Sequence, residues 1–377
     1  MHKNCLAYPV EFAKDAFGES DALAKMLIGG REGPAAPRVF IVADQNVVQR
    51  TEGLGTKIGR YVRTHGIELA GSPVIVAGGE KSKLDDMQSV LMVASEMLRA
   101  GLGCRDVVLA IGGGSVLDVA GWASSQACGG VPLVRMPTTP EAMLDAAFAE
   151  YAAVDSPDVK DALRVKSVPA GVVVDTTFAS TVLDGVWRGG IGEAVRLALA
   201  RDASFFKELV AQAPAYRGRD ADSLDKIVSG ALAVRSKKGG SSFALWSALR
   251  LQSMSGWKLP HGYAVAIGVL IEVACAAVAG GVSESVRDTV VGFFGECGTL
   301  DGLVHSQYLL QHPDRLLAGI DEWLRTSPGG TMEVLSGVGK AKATDAPDLE
   351  LYREALKYLG SVAGSRFGSP PAARNVV

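Results

Sequence analysis

Short apolar runs alternate with longer amphipathic stretches through the first half of the chain. Five of these runs have the length and composition of buried strands: residues 39–43, 74–77, 107–111, 131–136 and 171–174. Residues 56–64 and 84–100 have helical spacing instead, and Gly101 follows the second of these segments as a helix stop. The alternation predicts an α/β domain with a doubly wound parallel sheet covered by helices.

From about Asp175 onward the pattern changes to long Ala- and Leu-rich helical segments with few strand runs. We therefore predict an α/β domain over residues 1–178, a mostly α-helical domain over residues 179–377, and an active cleft between them. The polar, Gly-containing segment 214–222 is typical of a surface loop. The longest apolar run carries Glu272 near its centre, where a carboxylate is costly in lipid. We expect a buried helix there and no membrane partner.

Composition narrows the class of protein further. The chain has 377 residues, of which 48% are hydrophobic and 21% charged, as in packed globular proteins. Its formal net charge of -3 provides no basic field for phosphate backbones, so we expect no nucleic-acid partner. The 5 cysteines are odd in number and widely spaced, which indicates neither a disulfide framework nor a thiolate zinc site. Residues 1–14 lack the apolar run of a signal peptide, and we expect a cytoplasmic protein.

Residues 107–121 combine a predicted strand, a glycine turn and the start of a helix. The turn consists of Gly112, Gly113 and Gly114, and Ser115 and Asp118 follow it. Three glycines allow backbone N–H groups to approach a diphosphate, and the dipole of the following helix favours its negative charge. An ordinary strand-to-helix turn is the alternative interpretation.

Polar residues also follow three other predicted strands. Asp44 follows the first strand with a carboxylate that suits a ribose hydroxyl. Glu80 and Lys83 come after the second strand and offer polar groups to an adenosine, and Thr138 and Thr139 come after the fourth. Since the carboxyl ends of parallel strands meet at one edge of a sheet, these residues favour a nucleotide site over an isolated turn.

These segments, in this order, resemble the 3-dehydroquinate synthase superfamily of NAD-dependent sugar phosphate cyclases, from about residue 39 to residue 359. Four motifs carry the resemblance: G-G-G-x-x-x-D-x-A-G at 112–121, P-T-T at 137–139, W-R-G-G-I-G-E-A-V at 187–195 and H-G-Y-A-V-A-I-G at 261–268. The W-R-G-G sequence of the third motif is similar to that of a dehydroquinate synthase-like side branch of the superfamily. Iron-containing alcohol dehydrogenases share the glycine motif, but they would have His at the position of Leu197.

The resemblance implies an NAD-binding first domain, a homodimer and a small-molecule substrate. In this family NAD transiently oxidises a ring hydroxyl, phosphate is eliminated, the ketone is reduced again and an aldol step closes a carbocycle. The resemblance assigns NAD binding to the strand-end residues above and also to Asp145, Phe178 and Thr181. It assigns catalysis to Lys160, Glu193, Arg196 and His261.

The resemblance also implies a divalent metal, usually zinc, held by one Glu and two His. Glu193 matches the first ligand and His261 the last. The middle His falls on Leu245, a second family His falls on Leu249, and the acidic residue after it falls on Gln252. Because an aliphatic side chain has no lone pair to donate, the metal site is expected to be incomplete and zinc binding is in doubt.

Other departures from the family concern phosphate recognition. Tyr151 stands where the family has an active-site Lys, whereas Lys160 and Asp161 match a family Lys–Asn pair. Arg196 replaces a Lys and keeps a cation one helical turn from Glu193. Phosphate recognition is therefore expected to be weakened.

Ordinary structural roles compete with the catalytic assignments. Glu193 and Arg196 have the three-residue spacing of a helix salt bridge, and His261 stands where a histidine at a helix start is capped by backbone. His305 and His312 lie outside the motif positions and are expected at the surface, with a place near the metal as the alternative.

Three functional hypotheses remain open on the sequence. The favoured one is an NAD-dependent, dehydroquinate synthase-like lyase or cyclase that acts on a polyhydroxylated small molecule other than the standard shikimate substrate, without a conventional zinc site. The second is a non-catalytic NAD-binding or scaffold relative. The third is an NAD-dependent oxidoreductase of the alcohol dehydrogenase type.

Overall fold

The structure is a computed structural model and describes residues 6–29, 37–157, 159–303 and 310–367. The chain divides after Leu183 into two compact units. This division follows the 3-10 helix Thr176–Thr181, so that helix belongs to the first unit, whereas the domain boundary expected from the sequence, after residue 178, passes through it.

The first unit is built on a parallel sheet. Its strands, including those of a separate antiparallel hairpin formed by β7 and β8, are β1 (Val10–Ala13), β2 (Arg38–Asp44), β3 (Glu68–Leu69), β4 (Val74–Val76), β5 (Val107–Gly112), β6 (Leu133–Pro137), β7 (Tyr151–Val154), β8 (Leu163–Lys166) and β9 (Gly171–Asp175). The order across the sheet is β1-β9-β6-β5-β2. Beyond β5, both β3 and β4 pair with β2. All of these pairs are parallel. The five predicted strands and the α/β class are confirmed.

Helices alternate with these strands along the chain. They are α1 (Ala22–Ile28), α2 (Gln45–Arg50), α3 (Leu54–Thr64), α4 (Gln88–Arg99), α5 (Gly114–Gln126) and α6 (Pro140–Leu144). Strand β5 is buried along its whole length, as expected for a central strand of a parallel sheet with both faces covered. For this reason its sequence is a continuous apolar run and does not alternate.

The direction of winding reverses at β2. The chain passes from β2 to β4 on one side, and β5 then pairs with β2 on the other side, with Val42 opposite Ala110. Open α/β sheets bind ligands beyond the carboxyl ends of the strands at such a switch point. Here those ends are Asp44 and Gly112. The fold therefore predicts a ligand site at the same two strand ends that the sequence motifs indicate.

A buried arginine fixes the β7–β8 hairpin to the sheet. Arg135 lies in β6 and is 1% exposed. Its guanidinium donates hydrogen bonds to the carbonyl oxygens of Ala149, at 2.5 Å, and Ser167, at 2.9 Å. Since these two residues flank the hairpin, Arg135 holds both of its ends beside the sheet.

The second unit is mostly helical, as predicted. Its described elements are α7 (Asp184–Arg201), α8 (Ala203–Arg217), α9 (Ala221–Lys238), α10 (Leu245–Met254), α11 (His261–Val278), α12 (Glu284–Cys297), α13 (Pro313–Thr326), the antiparallel hairpin β10 (Met332–Gly337) and β11 (Lys340–Thr344), and α14 (Leu349–Phe367). Helix α11 packs against α7, α10, α12 and α14 and forms the centre of the unit.

The loop expected at residues 214–222 is wrong. Helix α8 continues through Pro214 to Arg217, and α9 begins at Ala221, so the connection is only residues 218–220. Proline here removes one hydrogen bond near the end of the helix, while Tyr216, buried in the last turn, anchors the segment. Burial of a single aromatic side chain overrides the local loop signal.

Helix α11 is the apolar run with Glu272 at its centre. Within the described residues it is the one helix long and apolar enough to cross a membrane, with a mean hydropathy of 1.8, yet 78% of it is buried inside the protein. Glu272 accepts hydrogen bonds from Trp246 Nε1 in α10 and from Tyr352 OH in α14. The expected buried helix is confirmed, and its carboxyl group is satisfied by neighbouring helices.

Candidate functional site

The glycine turn after β5 is a close-packed cradle. Gly113 is the N-cap of α5. A Cβ on Gly112 would lie 2.7 Å from the Val116 Cβ and 3.2 Å from the Asp44 Cβ, and one on Gly114 would lie 3.2 Å from the Ala146 Cβ. None of the three glycines has a positive φ, so close approach is the property that requires them. The turn thus presents the free N–H groups of a helix start to an incoming group.

Segments that follow three strands meet at this cradle. The Asp44 carboxylate accepts a hydrogen bond from Asn46 N–H, at 2.7 Å, and caps α2. A Cβ on Gly78, after β4, would lie 2.4 Å from the Asp44 Oδ2. The Gly79 N–H donates to Ser115 Oγ, at 3.1 Å. The polar residues assigned to a nucleotide from the sequence are therefore neighbours in space.

At this edge of the sheet, the Oγ1 atom of Thr138 has no hydrogen-bond partner among the described residues. Thr138 follows β6 and is 0% exposed. Thr139 instead caps α6 by accepting from Ala142 N–H. A buried hydroxyl without a partner is uncommon, and one beside a glycine cradle fits a bound ligand. The donor set and the cradle together fit a dinucleotide such as NAD.

The remaining residues assigned to NAD have ordinary local contacts. Asp145 is the C-cap of α6. Phe178 is 5% exposed and packs edge-on against Phe17. The Thr181 hydroxyl donates to the Phe178 carbonyl oxygen, at 2.9 Å. These contacts place the three residues in the first unit without testing their assignment.

Two lysines and four carboxylates form a buried ionic network in the first unit. Lys83 Nζ lies 2.7 Å from Asp118 Oδ2, 2.9 Å from Asp161 Oδ1 and 3.4 Å from Asp155 Oδ1. Lys160 Nζ lies 2.5 Å from Glu80 Oε2 and 2.9 Å from Asp155 Oδ2. The lysine side chains are only 4% and 8% exposed. Sequence reasoning treated Glu80 and Lys83 apart from Lys160 and missed Asp155, which no motif marks.

Carboxylates outnumber ammonium groups in this network. As a result, the pKa is raised for some of the carboxyl groups and lowered for another. Burial raises the pKa of Asp118 and of Asp155, and Lys83 only partly offsets this effect. Burial acts the same way on Asp161, but Lys83 and Lys160 outweigh it and lower the pKa of Asp161 to about 2. Asp161 is therefore the firmly ionised member of the network, and it holds Lys83 through a direct hydrogen bond.

In the second unit, a contact between two glycines brings the other candidate residues together. A Cβ on Gly262 of α11 would lie 2.4 Å from the carbonyl oxygen of Gly189 in α7. The two helices therefore touch backbone to backbone. Glu193 lies one turn after Gly189, and His261 immediately precedes Gly262, so the contact places their side chains face to face.

Glu193 and Arg196 form a fully buried ion pair. Arg196 Nε and Nη2 lie 2.7 and 2.6 Å from Glu193 Oε2, and the two side chains are 1% and 0% exposed. Arg196 Nη1 also donates to the Ser241 carbonyl oxygen. Burial would raise the pKa of Glu193, but Arg196 and the hydrogen bond from His261 lower it to about 2. The salt bridge considered from the spacing is present, and Glu193 is an anion.

His261 joins this pair to an amide. Its Nε2 lies 3.3 Å from Glu193 Oε1, and its Nδ1 lies 2.8 Å from Gln252 Oε1. His261 is the first residue of α11, after the N-cap Pro260, so it stands at a helix start as expected from the sequence. Gln252 is 0% exposed, and its Nε2 has no partner among the described residues. An amide hydrogen-bond donor is therefore left over beside His261.

The donors around Glu193 do not fit a conventional zinc site. Leu245, Leu249 and Gln252 share one face of α10, at four- and three-residue spacing, and that face reaches His261 through Gln252. Aliphatic side chains thus take the positions where ligands are expected. Within the described ranges, no three His, Cys, Asp or Glu side chains are grouped to hold a metal ion.

The other candidate ligands do not change this result. His305 lies outside the described residues. His312 precedes α13 as its N-cap. Cys5 also lies outside the described residues, and the four described cysteines are free thiols, Cys104, Cys128, Cys275 and Cys297. The expectation of no disulfide framework holds for these four.

The chain has an α/β first unit and a mostly helical second unit, and known proteins resemble it in sequence and in fold. The family model of the 3-dehydroquinate synthase N-terminal region matches residues 73–188. The 3-dehydroquinate synthase of Shouchella clausii is 31% identical over 247 residues, which are 62% of this chain and 66% of that protein. The 2-epi-valiolone synthase of Actinosynnema mirum is 27% identical over 303 residues, 77% of this chain and 76% of that protein.

A solved structure agrees with these relatives in fold. The 2-epi-5-epi-valiolone synthase ValA of Streptomyces hygroscopicus, described with NAD+ and Zn2+ bound, matches with a TM-score of 0.77 and 22% identity over 95% of this chain and 98% of that one. The chain is thus similar in sequence to 3-dehydroquinate synthases and to a 2-epi-valiolone synthase, and similar in fold to ValA. The chain's alignment spans just under two thirds of the Shouchella clausii enzyme, 66% of its length.

Proposed function

We propose that this protein is an NAD-dependent, dehydroquinate synthase-like lyase or cyclase that acts on a polyhydroxylated small molecule. The observation that carries the proposal is the convergence of Asp44, the Gly112–Gly114 cradle and the unpartnered Thr138 hydroxyl at the switch point of the sheet. When bound, NAD supplies hydride transfer to and from a carbon that bears a hydroxyl group.

The residues of the first unit divide the task of binding NAD. The N–H groups at the start of α5 hold the diphosphate, and Asp44 accepts a hydrogen bond from a ribose hydroxyl. Thr138 pairs its buried Oγ1 with the ligand, which satisfies an atom that otherwise has no partner. NAD in the similar ValA structure supports this assignment.

The ionic network supports a substrate other than the standard one. Lys160 matches a lysine to which the family resemblance gives a catalytic role, but here Glu80 and Asp155 neutralise it. Asp161 stands where the family has a neutral Asn and adds a firm negative charge. A phosphate dianion would meet these carboxylates, whereas neutral hydroxyl groups would not be repelled. The proposed substrate is therefore a polyol whose recognition does not depend on phosphate at this network.

The second unit supplies polar groups without a conventional zinc site. Glu193 is held by Arg196, and aliphatic Leu245 and Leu249 stand where histidine ligands are expected. The Nε2 of Gln252, which has no hydrogen-bond partner among the described residues, is the group proposed to hydrogen-bond a substrate oxygen beside His261. The expected homodimer and the cytoplasmic location remain predictions.

The proposal is tested with NAD-loaded protein and two sets of compounds. In a panel of unphosphorylated polyols, we expect at least one to cause a transient rise in the absorbance of reduced NAD. Incubation with 3-deoxy-D-arabino-heptulosonate 7-phosphate is expected to yield no 3-dehydroquinate, with or without added zinc or cobalt. Formation of dehydroquinate would contradict the substrate assignment. Tight NAD binding without reduction by any polyol would favour the non-catalytic relative instead.

A further inference from the structure

We propose that Arg196 takes the place of the metal ion in this chain: its guanidinium balances the charge of Glu193 and, by contacting the carboxylate through two nitrogens at once, excludes zinc from the centre formed with His261. The inference concerns the second unit alone. It does not depend on NAD binding or on the identity of the substrate.

The geometry of the pair blocks the ligand atoms that a metal would need. Arg196 contacts Glu193 Oε2 through both Nε, at 2.7 Å, and Nη2, at 2.6 Å. The other oxygen, Oε1, faces His261 Nε2, at 3.3 Å. A zinc ion bound to Glu193 Oε1 and His261 Nε2 would replace this hydrogen bond and would lie beside a carboxylate whose other oxygen already holds Arg196. The carboxylate is therefore already occupied at both oxygens.

The charge of Arg196 makes its displacement unfavourable. A guanidinium stays protonated at every accessible pH and binds a carboxylate through a rigid fork. With side-chain exposures of 1% and 0%, neither member of the pair is screened by water. If zinc removed Glu193 from the pair, the buried guanidinium would lose its two close contacts with Glu193 Oε2.

The neighbouring helix agrees with a centre that has no metal. On α10, Leu245 and Leu249 offer no lone pair, and Gln252 contacts His261 with a neutral amide oxygen. A second cation would need further anionic or imidazole ligands, and the described residues around it provide none. Arg196 and Glu193 balance each other, so the centre requires no additional charge.

The test is a double-variant cycle read by zinc affinity. The four proteins are the parent, Leu245→His, Arg196→Lys and the double variant, each titrated with zinc against a competing chelator. Lysine keeps the positive charge but loses the fork, so Glu193 can turn one oxygen to a metal. We expect Leu245→His alone to change zinc affinity little, and the double variant to bind one zinc at least about 100-fold more tightly than either single variant.

A matched control separates loss of the fork from a general change in α7. Arg188 lies on the same helix and pairs with Asp184 at the surface. Leu245→His with Arg188→Lys is expected to bind zinc no better than Leu245→His alone. Tight one-to-one zinc binding by Leu245→His alone, or no gain in the double variant, would overturn the proposal.

A second measurement on the unmodified chain covers the case in which the double variant does not fold. In nitrogen-15 spectra, the Arg196 Nε–H signal, assigned by its loss in Arg196→Lys, should exchange slowly with water and keep its position in excess zinc. A zinc-dependent shift of this signal, with one zinc retained after dialysis, would also overturn the proposal. Zinc affinity and the Arg196 Nε–H signal are both measured without NAD or substrate. They therefore test this proposal even if the proposed function is wrong.

Discussion

Gly189 and Gly262 touch through their backbones, since a Cβ on Gly262 would lie 2.4 Å from the Gly189 carbonyl oxygen. This contact allows α7 and α11 to approach closely enough for Glu193 and His261 to meet. A side chain at Gly262 would push the helices apart, and a Cβ on Gly189 would lie 3.3 Å from the Gly262 Cα, a tight contact. The polar centre of the second unit therefore depends on two residues that have no side chains.

The first prediction concerns this helix contact. Gly262→Ala should lower the free energy of unfolding by about 1–3 kcal/mol, because the new methyl group overlaps backbone atoms that cannot move aside easily. Gly292→Ala in α12 is the control, since a Cβ there meets nothing within 4 Å. It should be neutral or stabilising by up to about 1 kcal/mol. Urea unfolding of the three proteins compares them, and equal stability of both variants would contradict the contact.

The second prediction concerns the NAD cradle. Gly113→Val should weaken NAD binding at least about 10-fold in calorimetry, because a branched side chain at the N-cap of α5 lies where the diphosphate must approach. Among the described residues, a Cβ at Gly113 meets only Thr139, at 3.2 Å, so the fold itself should tolerate the change. Gly103→Val, at an open position, should bind NAD like the parent. An unchanged affinity in Gly113→Val would show that the cradle is not the nucleotide site.

The third prediction concerns phosphate discrimination. Asp161→Asn removes the firmly ionised carboxylate of the network and restores the family Lys–Asn pair. Binding of inorganic phosphate to NAD-loaded protein, followed by phosphorus NMR, should strengthen about 10-fold, since one repulsive charge near Lys160 is lost. Asp222→Asn, at an exposed position in α9, serves as the control and should have no effect. Equal phosphate binding in all three proteins would refute the role given to Asp161.

The fourth prediction concerns the pH dependence of stability. Burial raises the pKa of Glu272 to about 7, although hydrogen bonds from Trp246 and Tyr352 oppose the shift. Between about pH 4.5 and 7 the folded chain keeps a proton that the unfolded chain has released, so stability falls as the pH rises. Relative to Glu272→Gln, the parent should lose roughly 3 kcal/mol across this window. Urea unfolding at several pH values measures it, and parallel curves for the two proteins would contradict the assignment.

The sequence predicted an element best when burial of that element alone determines its pattern of apolar residues. Strands such as β5 have both faces buried, so a continuous apolar run identifies them. Strand β1 was missed because its residues are only partly buried and include Glu11, and the β7–β8 hairpin was missed because its second strand is largely exposed. Local apolar content carries no signal for such elements.

Within the sites, contacts between distant segments were the part that sequence could not supply. The spacing of Glu193 and Arg196 predicts their salt bridge, since both lie on one helix. By contrast, Asp155 meets Lys83 across a long stretch of chain, through an ion pair and through a hydrogen bond from the Asp155 N–H to the Lys83 carbonyl oxygen. The contact of Gln252 with His261 likewise depends on the packing of α10 against α11. These pairings are products of tertiary structure.

We propose that this protein binds NAD and that its centre at Glu193 is balanced by Arg196 and needs no metal. The most direct measurement is the nucleotide and metal content of freshly purified protein, by analysis of released nucleotide and by elemental analysis of the same sample. The account predicts NAD in the sample, retained or taken up after incubation and gel filtration, with no stoichiometric zinc or other divalent metal. One zinc per chain, retained through dialysis against chelator, would contradict it.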